Sequence, residues 1–226
     1  MIDLPDLLTA AGRLSAVRDA IGRAARSAGR AQDSVELVSV SKTWDADAIR
    51  PLLAAGQRSF GENRVAEAQD KWPGLKAETP GVRLHLVGQL QSNKAGEAVA
   101  LFDVLHAVDR PSLVLALSKA MKLLDKWPDC FLQVNIGEEP QKGGCAIADL
   151  PVLLTEARAA GLPVVGLMCV PPVGTEGAPF FAMLAKLARD HGLAQISMGM
   201  SADYETAVMM GATVVRVGSA LFGARD

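Results

Sequence analysis

Between Leu4 and Ala28 apolar residues recur every three or four positions: Leu4, Leu7, Leu8, Ala11, Leu14, Val17, Ile21, Ala24 and Ala28. That spacing keeps one face of a helix apolar and predicts a helix across residues 1–30. Pro5 suits its first turn and Gly29 its stop. Arg13, Arg18, Arg23, Arg26 and Arg30 fall on or beside the polar side. They read as a solvated face, or as a docking surface for an acidic partner.

From residue 35 the pattern changes. Short apolar, β-branched runs alternate with helical patterns. The runs are Val35–Ser41, Gln57–Gly61, Arg83–Gly88, Val104–Val108, Cys130–Asn135, Val164–Val170, Gln195–Gly199 and Val214–Val217. The helical stretches are Ala46–Ala55, Arg64–Lys71, Lys94–Leu101, Pro111–Leu124, Leu150–Ala160, Phe180–His191 and Tyr204–Met210, then a short turn from Ala220. Strands alternating with helices pair in parallel. A nearly all-apolar run such as VVGLMCV fits burial on both faces. Eight such units allow a closed (β/α)8 barrel or an open doubly wound sheet. The dinucleotide-binding version of the open sheet carries a glycine-rich turn after its first strand. Here that strand ends in Ser41-Lys42-Thr43. The count of eight favours the barrel. The predicted class is α/β: one TIM-barrel domain over 1–226, with an additional N-terminal helix at 1–30 and the barrel at 35–226.

Composition narrows the function. Of 226 residues 50% are hydrophobic, enough for a full core and against disorder. Lys+Arg number 23 against 25 Asp+Glu, so no overall basic field draws nucleic acid or an acidic membrane. No apolar run approaches the roughly 20 residues of a membrane span. The start carries Asp3 and Asp6, unlike a signal peptide, so the expected location is the cytoplasm. Cys130, Cys145 and Cys169 are odd in number and widely spaced, and read as small buried side chains. His85, His106 and His191 are scattered, with no metal-ligand spacing.

A barrel carries its chemistry at the C-terminal ends of its strands. Lys42 ends the first strand. It either marks the strand end or is a desolvated amine able to attack a carbonyl. Asn63, after the second strand, is placed to touch a ligand or cap a helix. The loop Gln89–Lys94 is amide-rich. The loop from Asn135 to Gly144 is charged and glycine-rich, either a mobile lid or a solvated loop. Met200 and Ser201 follow the seventh strand, where Ser201 is placed to cap a helix. Gly218 and Ser219 follow the eighth. Loops after strands seven and eight are the usual phosphate site of such barrels, with free N–H groups at helix starts. Arg216 stands among Val214, Val215 and Val217. A buried arginine needs a partner, so it faces the pocket or forms a core ion pair. A lysine across from a phosphate cradle fits an aldehyde bearing a phosphate. That is pyridoxal 5′-phosphate (PLP), or a phosphosugar in a Schiff-base aldolase.

Longer stretches are more specific. LVSVSKT (37–43), FGENRVAEA (60–68), LHLVGQLQSNK (84–94), LHAVDR (105–110), LQVNIGEEPQKGG (132–144), GLMCVPP (166–172), ISMGMSADYETAV (196–208) and VRVGSALFGARD (215–226) run in order along the chain. Together they resemble the pyridoxal phosphate homeostasis protein family, whose members look like the barrel domain of alanine racemase standing alone. Two positions depart from the family pattern. Leu84 stands where many relatives have tryptophan, and Ser219 where threonine is also common.

The resemblance implies that Lys42 carries PLP as a Schiff base. It implies that Ser201, Gly218 and Ser219, with backbone around Met200, hold the phosphate. Arg216 would contact the pyridine nitrogen and Asn63 would lie beside the ring. An arginine there disfavours protonation of that nitrogen and weakens PLP as an electron sink. Racemisation remains compatible, but needs a second base, which alanine racemase takes from a tyrosine on another domain. This chain ends at Asp226, directly after the barrel, and its lone tyrosine is Tyr204. The expected function is PLP binding for intracellular vitamin B6 and amino-acid balance, without robust catalysis. An amino-acid racemase is the alternative. PLP-requiring apo-enzymes are candidate recipients, and loss of the second domain points to a monomer.

Overall fold

The structure is a computed structural model and describes residues 9–223. Helix α1 (Ala10–Ser27) begins where Thr9 Oγ1 accepts from Gly12 N, at 2.9 Å. The predicted Leu4–Leu8 portion, with Pro5, lies outside the described residues. At the other end Gly29 takes φ +69°, a left-handed turn that suits glycine. Leu14, Val17, Ile21, Ala24 and Ala25 form the buried stripe that the spacing predicts.

Eight strands follow: β1 (Glu36–Val40), β2 (Ser59–Glu62), β3 (Arg83–Leu86), β4 (Val104–Val108), β5 (Asp129–Gln133), β6 (Val164–Met168), β7 (Gln195–Ser197) and β8 (Val214–Val217). Between them lie α2 (Ala46–Ala54), α3 (Val65–Glu78), α4 (Ala95–Leu101), α5 (Pro111–Leu124), α6 (Leu150–Ala159), α7 (Ala178–Asp190) and α8 (Tyr204–Met209). The short α9 (Ser219–Phe222) follows β8. The strands pair in parallel in sequence order, and β1 closes on β8 with Val38 opposite Arg216. This is the (β/α)8 barrel with an N-terminal helix.

Several boundaries differ from the periodic pattern. Helix α3 continues through Pro73 to Glu78 rather than stopping at Lys71. Pro73 is exposed, while Trp72 and Leu75 on either side are buried, and their burial offsets the missing backbone bond. Strands β5 and β7 end two residues early, at Gln133 and Ser197, where the chain turns over the barrel mouth. In β4 the pairing register shifts between Leu105 and Val108. A bulge re-aims side chains there, and both His106 and Ala107 are buried.

The main core lies between strands and helices and includes Phe60, Trp72, Phe102 and Phe181. A smaller cluster fills the barrel: Val38, Val104, Ala107, Phe131, Met168 and Val214. His85, His106, Ser197 and Arg216 are also buried and polar. Three arginines of α1 and the turn after it do more than form a solvated face. Arg13 Nε donates to Leu221 O at 2.6 Å, Arg18 to the Gln57 amide oxygen at 2.9 Å, and Arg30 to Ala212 O at 2.8 Å. They hold the helix to the barrel. No helix of the described residues is long and apolar enough to cross a membrane.

Candidate functional site

At the C-terminal mouth of the barrel lies a pocket of about 570 Å³. All seven predicted site residues line it: Lys42, Asn63, Met200, Ser201, Arg216, Gly218 and Ser219. Val40, Trp44, Val87 and Val170 supply apolar wall. Trp44 stacks on Phe222 at 5.3 Å, which ties the turn after β1 to α9.

Lys42 is half-buried and makes no hydrogen bond or ion pair among the described residues. Its neighbours, by contrast, are clamped from α3. Lys71 Nζ donates to Ser41 O at 2.9 Å and Trp44 O at 2.8 Å. The same ammonium lies 3.0 Å from Glu62 Oε1 and 3.0 Å from Glu67 Oε1. Ser41 Oγ donates to Glu62 Oε1 at 2.6 Å, and Trp72 Nε1 donates to that oxygen at 2.9 Å. Thr43, at φ +66°, donates its N–H to Glu67. Burial pushes the Glu62 carboxyl up, and Ser41, Trp72 and Lys71 pull it part of the way back. Burial also acts upward on Glu67, but the Thr43 N–H and Lys71 outweigh it and hold that carboxyl below its ordinary value. Sequence reasoning missed this clamp. Its one visible signal is the Glu67–Lys71 spacing of four, which reads as an ordinary helix-surface pair.

On the facing side, Ser201 Oγ accepts from Gly218 N at 3.1 Å. Ser201 therefore joins the loops after β7 and β8, and does not cap α8 as expected. Asp203 Oδ1 accepts from Met200 N at 2.7 Å and braces the same turn. The N–H groups of Ser201, Ala202, Ser219 and Ala220 have no acceptor among the described residues. Two loops thus present free donors toward one place, which suits an anion. Gly199 takes φ +89°, and a Cβ there would meet Ala207 Cβ at 2.5 Å.

Arg216 forms no ion pair within the described residues. Its NH1 donates to Ser197 Oγ at 2.5 Å and its NH2 to Cys169 O at 2.9 Å. Ser197 Oγ lies 2.9 Å from His106 Nδ1, and His106 Nε2 lies 3.0 Å from His85 Nδ1. Two of the histidines scattered in sequence, His85 and His106, thus meet inside the barrel, where His106 also stacks on Phe131 at 4.5 Å. Burial holds His106 well below the usual histidine range, and His85, Arg216 and Arg83 act in the same direction. Among the described residues no group of side chains has metal-site composition. Burial pushes the Cys145 and Cys169 thiols up to about 12, so neither is a ready nucleophile.

Asn63 precedes α3 without capping it, since the cap position is Arg64. Gly88 passes so close that a Cβ would lie 2.3 Å from Asn63 O, which fixes the Asn63 backbone at the rim. The 135–144 loop is pinned rather than free. Gln133 Nε2 donates to Gly143 O at 3.1 Å, Asn135 Nδ2 to Glu139 O at 2.8 Å, and Lys142 Nζ to Pro171 O at 3.1 Å.

The profile described as "Alanine racemase, N-terminal domain" matches residues 13–226. The pyridoxal phosphate homeostasis protein of Pseudomonas aeruginosa is 41% identical over 224 residues, covering 96% of each chain. The chain belongs to the pyridoxal phosphate homeostasis protein family. The Escherichia coli member of this family is 37% identical over 234 residues, covering 96% of this chain and 97% of its own. Among solved structures, PipY of Synechococcus elongatus with PLP bound superposes with a TM-score of 0.82 at 38% identity. That match covers 95% of this chain and all of PipY. Alanine racemase from Bartonella henselae has a TM-score of 0.67 at 17% identity, over 92% of this chain and 59% of its own, and shares the fold.

Proposed function

We propose that this chain is a PLP-binding protein of intracellular vitamin B6 and amino-acid balance, holding the cofactor covalently through Lys42. The carrying observation is the pairing, in one pocket, of an unpartnered lysine amine with two loops of free N–H donors. The residues present fit the group. When bound, PLP supplies an aldehyde that condenses with the lysine amine, with loss of water. The amides of Ser201, Ala202, Ser219 and Ala220, with the Ser219 hydroxyl, bind the phosphate. Val40, Val87 and Trp44 exclude water from the ring. Arg216 faces the pyridine nitrogen as a donor, and Asn63 orients the ring from the rim. The PLP-bound PipY and the names of the bacterial relatives support this assignment.

We also propose that the protein has no robust catalysis of its own. Of the described lining residues only Lys42 and Arg216 are ionisable, and arginine does not give up its proton. Lys42 is then the only pocket group able to move a proton at a substrate carbon. Tyr204 packs against the main core and does not line the pocket. Apo-enzymes that require PLP are the recipients consistent with this role.

The test is an absorption spectrum of protein mixed with PLP and freed of excess. A visible band present in the wild type and absent in Lys42→Ala is expected. A band that survives in Lys42→Ala would remove Lys42 from the assignment. Exchange of an amino-acid α-proton in deuterated water at ordinary enzyme rates, lost with Lys42→Ala, would overturn the non-catalytic reading.

A further inference from the structure

The polar groups inside the barrel form one continuous series. At the closed end, Glu36 accepts from Ser59 Oγ at 2.6 Å and lies 3.5 Å from Arg83. His85 Nε2 lies 3.4 Å from Glu36 Oε1, a long contact between a ring nitrogen and a carboxylate. From His85 the series runs through His106 and Ser197 to Arg216 at the pocket, at 3.0, 2.9 and 2.5 Å. His85, His106, Ser197 and Arg216 are buried, while Glu36, Ser59 and Arg83 at the closed end are partly exposed.

Donor arithmetic gives the series a direction. A guanidinium only donates, so Ser197 Oγ accepts from Arg216 and must pass its own proton on. Among the described residues its available acceptor is His106 Nδ1. His106 then carries its proton on Nε2 and donates to His85 Nδ1. His85 in turn carries its proton on Nε2, facing Glu36. The opposite polarity leaves the buried Ser197 proton without an acceptor, at a cost of about 1–3 kcal/mol. The series therefore cannot carry a proton into the pocket, because its last member accepts none. It can hold that member still: with NH1 on Ser197 and NH2 on the Cys169 carbonyl, the guanidinium plane is fixed at two corners.

We infer that Ser197, His106 and His85 are positioning residues for Arg216, a one-way hydrogen-bond chain donated from Arg216 to His85 that keeps the guanidinium aimed into the pocket as a fixed donor. This rests on the PLP reading of that pocket. The donor would meet the pyridine nitrogen, hydrogen-bonding it without protonating it. A cofactor held so is kept a weak electron sink, in line with storage rather than turnover.

Nitrogen-15 NMR tests this at both ends of the chain. In the PLP-free wild type, labelled histidine should report the neutral Nε2–H tautomer for His106. In the loaded protein, labelled PLP should report a hydrogen-bonded, unprotonated pyridine nitrogen. Ser197→Ala and His106→Phe should each move that resonance toward the value for a nitrogen without a donor. PLP affinity should fall about tenfold, the 1.4 kcal/mol of one net hydrogen bond. Ser197→Thr, which keeps the hydroxyl, should restore both readouts. If His106→Phe does not fold, Ser197→Ala carries the test. A bound resonance indifferent to these variants, or an Nδ1–H tautomer at His106, would overturn the chain alone. No bound resonance in the wild type would overturn the PLP reading, and the chain's role with it.

Discussion

Replacing Lys71 by Met keeps most of the side-chain volume and removes the ammonium that clamps the Lys42 turn. Lys71 is 8% exposed and its partner Glu62 0%. Breaking such a buried pair from one side costs about 3–5 kcal/mol, because the remaining charge is left uncompensated. The carboxyl has an escape, since it can take up a proton. Glu62 is already displaced upward by burial, and losing Lys71 displaces it further. A carboxyl whose folded pKa exceeds its unfolded pKa is protonated in both states at low pH, so no penalty appears there. The penalty grows as pH rises through the folded pKa and is complete above it. Urea unfolding of wild type and Lys71→Met across pH should therefore give a deficit that is largest at mildly alkaline pH. The deficit should shrink toward the ordinary carboxylate range. Adding Glu62→Gln should remove the pH dependence and recover most of the loss. A deficit that is flat with pH, or a double variant no better than the single one, would refute the reasoning. The freed turn should also load PLP more weakly, read from the visible band.

Three further outcomes follow from the same geometry. Burial acts upward on Glu36, but the His85 ring, the Ser59 hydroxyl and Arg83 outweigh it and hold the carboxyl down to about 2. A depressed carboxyl lends stability that is present above its unfolded pKa and lost as pH falls through the folded one. Glu36→Gln should thus cost about 3 kcal/mol at neutral pH, at about 1.4 kcal/mol per pKa unit. The wild-type and variant acid-unfolding curves should converge near pH 2. Gly88→Ala forces a Cβ to within 2.3 Å of Asn63 O, so a shift of thermal midpoint equivalent to about 1–3 kcal/mol is expected, and no shift would contradict the close approach. Ser201→Ala leaves the Gly218 N–H without its acceptor, a loss of about 1–3 kcal/mol in urea, and PLP titration should show weaker binding.

What was legible in the sequence was whatever depends on local order. Periodicity located the strands and the helices, and the residues just after a strand end turned out to line the mouth. Lys42, Ser201 and Ser219 were found this way. Residues whose roles depend on distant partners were not. Lys71 reads as half of a helix-surface pair until the fold brings Ser41 and Trp44 above it. His85 and His106 lie twenty-one positions apart and meet only through the barrel and the register shift in β4. The helix expected to end at Lys71 runs on through Pro73 because the burial of Trp72 and Leu75 is a tertiary matter. The α1 arginines read as solvated because their acceptors, such as Leu221 O and Ala212 O, are far along the chain.

The seam between β1 and β8 has a consequence for how the pocket comes into being. Lys42 lies just beyond β1, while the loops with free N–H groups flank β8. Arg13 of α1, and Arg30 just after it, bond to the chain on either side of β8. In the proposed site, a chain made from its N-terminus has its lysine early and its phosphate grip last. Neither half alone is a binding site. Contacts this distant in sequence close the longest loops and carry the largest loop-closure entropy. Under the proposed assignment, cofactor capture would therefore require that the barrel has shut. By mass action a bound cofactor also locks the first and last thirds of the polypeptide together. Parting along that one seam would separate the aldehyde's partner from the phosphate's, and let the cofactor go while the other strand pairs stay intact.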